Sequence, residues 1–266
     1  MDITAILGLI VGFGGIFAGD FLDGGTPLEL IKVAPFFIVF GGGMGALLSS
    51  FPLSELKKLP TAIKMVFGQK NYNEVEIINQ LAELSEKARK DGLLSLEQDA
   101  QNNPNELIKK GLALVVDGIE TEVIKDILQR ENELHENINE SAAKMFEALG
   151  GFFPTMGVLG TVMGMVSILK DLSDPSTLGP KISSAFIATL YGVGFANLVW
   201  LPWAGKIKAK AEREKMINDL IIEGLLSIQA GENPRIIKEK LNLALLEKMS
   251  GKGKGAATEE KAEGEG

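Results

Sequence analysis

Ala148-Leu149-Gly150-Gly151-Phe152-Phe153-Pro154-Thr155-Met156-Gly157-Val158-Leu159-Gly160-Thr161-Val162-Met163-Gly164-Met165-Val166-Ser167-Ile168-Leu169 runs between Glu147 and Lys170 without one charged side chain. As a helix rising about 1.5 Å per residue, a stretch of this length crosses a hydrocarbon core about 30 Å thick. Three other stretches share the property: residues 3–19, 33–54 and 182–205, the first being the shortest. The fold class they predict is an all-α membrane protein with four transmembrane helices. The chain has 266 residues, a net charge of -8 and 45% hydrophobic residues, averages that conceal this segregation, and it is the segregation that argues against an ordinary soluble domain. With no cysteine, the chain has no disulfide scaffold, thiolate metal site or cysteine nucleophile. A secretory signal is the alternative reading of the first stretch, but Met1-Asp2 supplies no basic segment ahead of it.

Basic residues resist translocation and mark the cytoplasmic side. Asp20, Asp23 and Glu29 outnumber Lys32 between the first two spans, and residues 170–181 carry two Asp and two Lys. Lys57, Lys58, Lys64 and Lys70 follow the second span, and Lys206, Lys208, Lys210, Arg213 and Lys215 follow the fourth. Both termini are therefore expected in the cytoplasm, in a multi-pass protein of a bacterial cytoplasmic (inner) membrane. The expected divisions are a first transmembrane pair at 1–54, a cytoplasmic helical insertion at 55–147, and a second pair at 148–205. Cytoplasmic C-terminal helices follow at 206–249, then a disordered tail at 250–266, which has no large apolar residue to offset its ordering entropy. Within the insertion, apolar residues from Val75 to Ala88 recur at helical spacing. Gly92 and Asn102-Asn103-Pro104 interrupt it. From Glu120 an unbroken amphipathic helix runs into the third span. The fourth continues as a rod to Ile228, before Gly231-Glu232-Asn233-Pro234.

Groups that carry ions through hydrocarbon are usually ionisable residues inside spans. The four charge-free stretches hold none, and Asp20 reads as a loop carboxylate at the outer edge, so a titrating acid has to come from a partner. The Gly-xxx-Gly pairs Gly8/Gly12, Gly15/Gly19, Gly41/Gly45 and Gly160/Gly164 predict close helix packing. Pro154 and Pro202 each remove one helical hydrogen bond and permit a kink. Thr161 and Thr189 place hydroxyls in apolar surroundings, where back-bonding within the helix is the plain reading. Trp200 and Trp203 stand near Lys206 as an interfacial aromatic belt would. No Walker A loop, His-Glu-x-x-His or Gly-x-Ser-x-Gly occurs, His135 reads as a solvated helix residue, and the acidic charge without a basic stripe excludes nucleic acid. An enzyme is not expected, nor a tightly bound metal or cofactor.

Residues 152–164, the loop Asp174-Pro175-Ser176-Thr177-Leu178-Gly179-Pro180, Ala188-Thr189-Leu190-Tyr191-Gly192 and Ala88-Arg89-Lys90-Asp91-Gly92-Leu93-Leu94-Ser95-Leu96-Glu97 closely resemble the MotA/PomA flagellar stator subunits. The resemblance runs from the first span to about Met249. It implies a homo-oligomeric ring, a pentamer, around a MotB/PomB-type partner that brings the membrane Asp and a peptidoglycan-binding domain. Ion passage onto that Asp would then turn the ring and apply torque to the rotor protein FliG.

The resemblance also implies residue roles. Arg89 and Glu97 match the charged pair that engages the rotor. Pro154 and Pro202 match the prolines that couple channel events to cytoplasmic movement. Thr161 and Thr189 fall on the ion pathway, where Thr161 favours Na+ over H+ as the transported ion, although Ala188 stands where sodium-driven members carry Thr. ExbB/TolQ-type energisers of outer-membrane transport are the alternative within the wider superfamily, and their usual three spans disfavour them. A membrane scaffold that conducts nothing is the third reading.

Overall fold

The computed structural model describes residues 2–68, 73–170 and 175–263. Lys70, Asp174 and residues 264–266, all named above, lie outside the described residues. Every regular element among the described residues is helical. Four helical stretches have the length and apolar character to cross a membrane. The chain divides into two compact units: one formed by Met1–Lys70 and Ile138–Lys210, the other by Asn71–Asn137 and Ala211–Gly266.

The first unit contains all four spans. Helix α1 (Ile3–Leu22) buries none of its side chains within the chain. Asp20 lies inside its last turn rather than in a loop, and Gly25 leaves room for the Asp20 carboxyl that a Cβ would fill. The second span is α2 (Val33–Phe36), a π-helical turn (Phe37–Gly41) and α3 (Gly42–Ser50) in succession. Pro35 sits in its first turn, where an N–H has no helical partner to lose. Pro52 ends it, holding the preceding Phe51 in an extended conformation. Short helices α4 (Leu53–Leu56) and α5 (Leu59–Phe67) follow.

In the second unit, α6 (Glu74–Asp91), a 3-10 turn (Leu93–Leu96), α7 (Glu97–Asn102) and α8 (Glu106–Val116) succeed one another. Asn73 caps α6, and Asn105 caps α8 by accepting from the Leu107 and Ile108 amides. Next comes α9 (Thr121–Lys170), a single helix of 50 residues that contains the third span. The fourth is α10 (Pro175–Phe195), a second π-helical turn (Ala196–Trp200) and the start of α11 (Leu201–Gln229). Gly231, at φ +70°, makes the turn into α12 (Pro234–Glu263). That helix continues past the expected end at Met249.

Each unit has its own core. In the first it is built from Val39, Leu47, Phe146, Leu149, Phe153, Ala188 and Ile207. Residues 55–68 and 138–147 cluster there with the spans because α5 contributes Ala62 and Val66 and α9 contributes Ala142, Ala143 and Phe146. The second core joins Ile78, Leu81, Leu96, Leu112, Leu128, Leu225 and Leu241 from α6 through α12.

Candidate functional site

One face of α9 in the first unit carries Phe146, Gly150, Phe153, Gly157, Gly160 and Gly164, three or four residues apart, with Thr161 beside Gly160. It is bulky at the end nearer the insertion and nearly bare at the other end. The bare part meets α10. A Cβ on Gly157 would stand 2.9 Å from the Ala188 carbonyl oxygen, and one on Gly192 would stand 2.5 Å from the Phe153 carbonyl oxygen. Gly160 and Gly164 face the Ala188 and Ala185 methyls. In lipid this close backbone approach replaces the hydrophobic drive for helix association. Of the four expected Gly-xxx-Gly pairs, only Gly160/Gly164 meets a neighbour at both positions. Gly12 alone meets Leu198, and Gly8, Gly15, Gly19, Gly41 and Gly45 face open space within the chain.

The close approach sets the hydroxyls. Thr161 Oγ1 and Thr189 Oγ1 are 2.5 Å apart across the seam. The expected back-bond of Thr161 to the Gly157 carbonyl is present at 3.2 Å, but the same hydroxyl also lies 3.0 Å from the Ala185 carbonyl of α10. A hydroxyl has one proton to donate, so these contacts are alternatives. Four oxygens from two helices are thereby gathered among otherwise apolar groups. The Tyr191 hydroxyl, two residues beyond Thr189, donates to the Leu30 carbonyl at 2.5 Å and accepts from the Lys32 amide at 3.0 Å. It fixes the entry to the second span.

At the bulky end, Trp200 and Trp203 are not a lipid-facing belt. Trp200 packs 5.2 Å from Phe153 and 6.2 Å from Phe146, and Trp203 packs 5.6 Å from Phe146, between ring centroids. Phe146 and Phe153, two turns apart, present both rings to them. The indole nitrogens of both tryptophans are buried without a hydrogen-bond partner among the described residues. The cluster lies beside both prolines, Pro154 following Phe153 and Pro202 falling between the tryptophans. The π-helical turn ends two residues before Pro202, where an added residue lets the helix accommodate a ring that cannot donate. Leu201 fills the space left by Gly150, four residues before Pro154.

A clasp absent from the sequence reading closes the same end. The Asp2 carboxylate receives Lys206 at 2.7 Å, Lys210 at 3.0 Å and the Thr4 hydroxyl at 2.7 Å. Burial pushes this carboxyl up, but hydrogen bonds from Lys206, Thr4 and Lys210, with the Lys210 charge, hold it well below the usual carboxylate range. Lys210 also donates to the carbonyls of Met65, Val66 and Gly68, oxygens that the end of α5 leaves without helical donors. The available signal was an acid before one span with lysines spaced i, i+4 after another.

In the second unit, Arg89 lies exposed in the last turn of α6, and Glu97 lies exposed at the first position of α7. Gly92, at φ +85°, turns the chain between them, and Ser95 closes the 3-10 turn by donating its hydroxyl to the Gly92 carbonyl at 2.7 Å. Neighbouring charges are tied up: Lys87 pairs with Asp99 at 2.7 Å and Lys90 with Glu86 at 2.5 Å. That second pair, through its hydrogen bond and then its charges, lowers the Glu86 pKa and raises that of Lys90. Arg89 and Glu97 enter no ion pair among the described residues and project from a fixed bend. His135 is exposed as expected, and no cluster of three or more potential metal ligands occurs among the described residues.

A four-span bundle with an oxygen-lined helix seam that no acid among the described residues enters defines a multi-pass membrane protein of the ion-channel class. Residues 6–92 match the model of the Motility protein A N-terminal family, and residues 99–219 match that of the MotA/TolQ/ExbB proton channel family. Motility protein A of Bacillus subtilis (strain 168) is 35% identical over 92% of this chain and 91% of its own. The solved structure of C. jejuni MotAB superposes with a TM-score of 0.87 at 33% identity, covering 92% of this chain and 96% of that one. The flagellar MotAB stator complex from Bacillus subtilis gives 0.85 at 34% identity, covering 91% and 95%. The chain belongs to the MotA/TolQ/ExbB proton channel family, in its motility protein A branch, whose members are stator channel subunits and not enzymes.

Proposed function

We propose that this chain forms the channel walls of a flagellar stator and, with a MotB/PomB-type partner, converts ion-motive force into torque on the rotor protein FliG. The observation that carries this reading is the oxygen cluster of Thr161 and Thr189, which no carboxylate among the described residues contacts. Such a seam can guide an ion but cannot take up a proton or balance a cation's charge. The partner's membrane Asp completes it. Solved relatives described as MotAB complexes support that assembly. The match over residues 6–92 to a motility protein A model favours a stator over an ExbB/TolQ-type energiser.

The remaining roles follow that frame. The subunits form a pentameric ring in the bacterial inner membrane, with both termini and the second unit in the cytoplasm. Arg89 and Glu97 engage the rotor, and Pro154 and Pro202 let the third and fourth spans flex as the ion passes. An exposed ion pair is worth about 0.2–1 kcal/mol, which suits contacts that must release at every step. One monovalent ion crossing 100 mV supplies only about 2.3 kcal/mol, so each step is small. No cofactor is needed beyond the transported ion.

Sodium is the ion the oxygen cluster favours, because hydroxyl and carbonyl oxygens suit a hard cation. Protons are the second reading, supported by Ala188 at a position where sodium-driven members carry Thr.

The test is swimming in cells whose only stator is this chain with its partner. Arg89→Glu is expected to stop swimming while membrane assembly stays normal; unchanged swimming contradicts the rotor role.

A further inference from the structure

In the second unit, α7 and α8 bank an open groove of about 400 Å³ that begins at Glu97. Its floor is small and apolar: Ala100 is buried, Val116 half-buried and Ala113 exposed. Glu97, Glu106 and Asp117 stand along the rim and enter no ion pair among the described residues. Two lysines also line the groove, but Lys110 is held by Glu131 at 2.6 Å, which leaves three carboxylates against the single ammonium of Lys109. From Glu106 to Asp117 the α8 bank is about 16 Å long, or about three helical turns. A floor of alanines admits a helix backbone closely, and the rim favours positive charge beside it. A second cleft in this unit, about 460 Å³, has the opposite character: Gln80, Glu83, Gln98 and Asn102 line it, and its Lys87 and Asp99 already pair with each other.

We propose that the α7–α8 groove seats an amphipathic helix of the rotor partner, about three turns long, with small apolar side chains on one face and Lys or Arg at its edges. This rests on the reading that Glu97 faces the rotor and extends that contact from a charge pair to a groove. The apolar floor sets where the helix lies. The acidic rim draws it in, and release is easy because the rim stays wet.

The test uses cells swimming on the full chain with its partner. Ala113→Trp fills the floor from an exposed position that the core does not use. The double variant Glu106→Lys/Asp117→Lys reverses the rim without adding bulk. Both are expected to slow swimming about tenfold, the factor that 1.4 kcal/mol of lost contact produces. Ion flux and membrane level stay within about twofold of the parent, a change of less than 0.5 kcal/mol on the same scale. Normal swimming by Ala113→Trp and the double variant, while Arg89→Glu is paralysed, overturns the groove and leaves the rotor reading standing. Normal swimming by Arg89→Glu as well overturns both. Loss of flux or membrane level in proportion to swimming also overturns the groove, since it marks a folding defect rather than a docking surface.

Discussion

Thr161 is where the smallest change bears most directly on the proposed ion path. Its hydroxyl has three oxygens to choose from, and its nearest neighbour is the Thr189 hydroxyl rather than its own helix. Thr161→Ala removes an oxygen that a sodium ion could use and leaves Thr189 beside a methyl. In swimming speed against sodium concentration, the half-saturating sodium is expected to rise about tenfold, as the loss of about 1.4 kcal/mol of binding produces. Thr161→Ser is expected to stay near the parent. A parent indifferent to sodium removes the sodium proposal at once. The motif containing Thr161 was legible in the sequence, and so was its back-bond. The partnership with Thr189 was not, because it depends on the register of two helices, set where Gly157 and Gly192 let their backbones meet. Gly157 lay outside every Gly-xxx-Gly pair.

Among the elements, the fourth span and its continuation concentrate the unexpected features. Proline chemistry permitted a kink at Pro202, and the structure places a π-helical turn that ends two residues ahead of it. The aromatic belt expected from Trp200 and Trp203 is instead an internal stack on Phe146 and Phe153, since tryptophan beside lysine fits either an interface or a core and only packing decides. Trp200→Ala is expected to destabilise the membrane unit by about 2–4 kcal/mol, and Trp200→Phe by clearly less. Thermal unfolding in detergent measures this, and tryptophan emission reports on the cluster directly because it contains both tryptophans of the chain.

The Asp2 clasp belongs to the same scale and was hidden for a different reason: some 200 residues separate its halves. Because the folded carboxyl lies below its ordinary range, the clasp contributes in full above the unfolded value of about 3.9 and is lost as pH falls below it. Melting temperature is therefore expected to drop on acidification below about pH 4, and Asp2→Asn should flatten that part of the profile. An identical profile for Asp2→Asn would contradict the clasp.

For the molecule as a whole, the architecture was legible because charge is so sharply sorted along the chain. Four uncharged stretches gave four spans, and unbroken helical patterns gave α9 and α11. Compact units cut across that sorting. Residues 55–68 and 138–147 lie outside the uncharged stretches yet contribute Ala62, Val66 and Phe146 to the core containing the spans. Polarity along the sequence reports the surrounding medium, whereas core membership follows from which faces meet. Arg89 is exposed and belongs to neither core, so Arg89→Glu is expected to unfold at the parent's temperature.

The central claim is that this chain supplies walls and joints while another polypeptide supplies the acid that takes up and releases the ion. Sodium or proton flux into vesicles holding this chain alone, this chain with its MotB/PomB-type partner, and this chain with a partner whose membrane Asp is Asn tests it most directly. The account predicts flux in the second preparation and none in the other two. Brisk flux through this chain alone would contradict it.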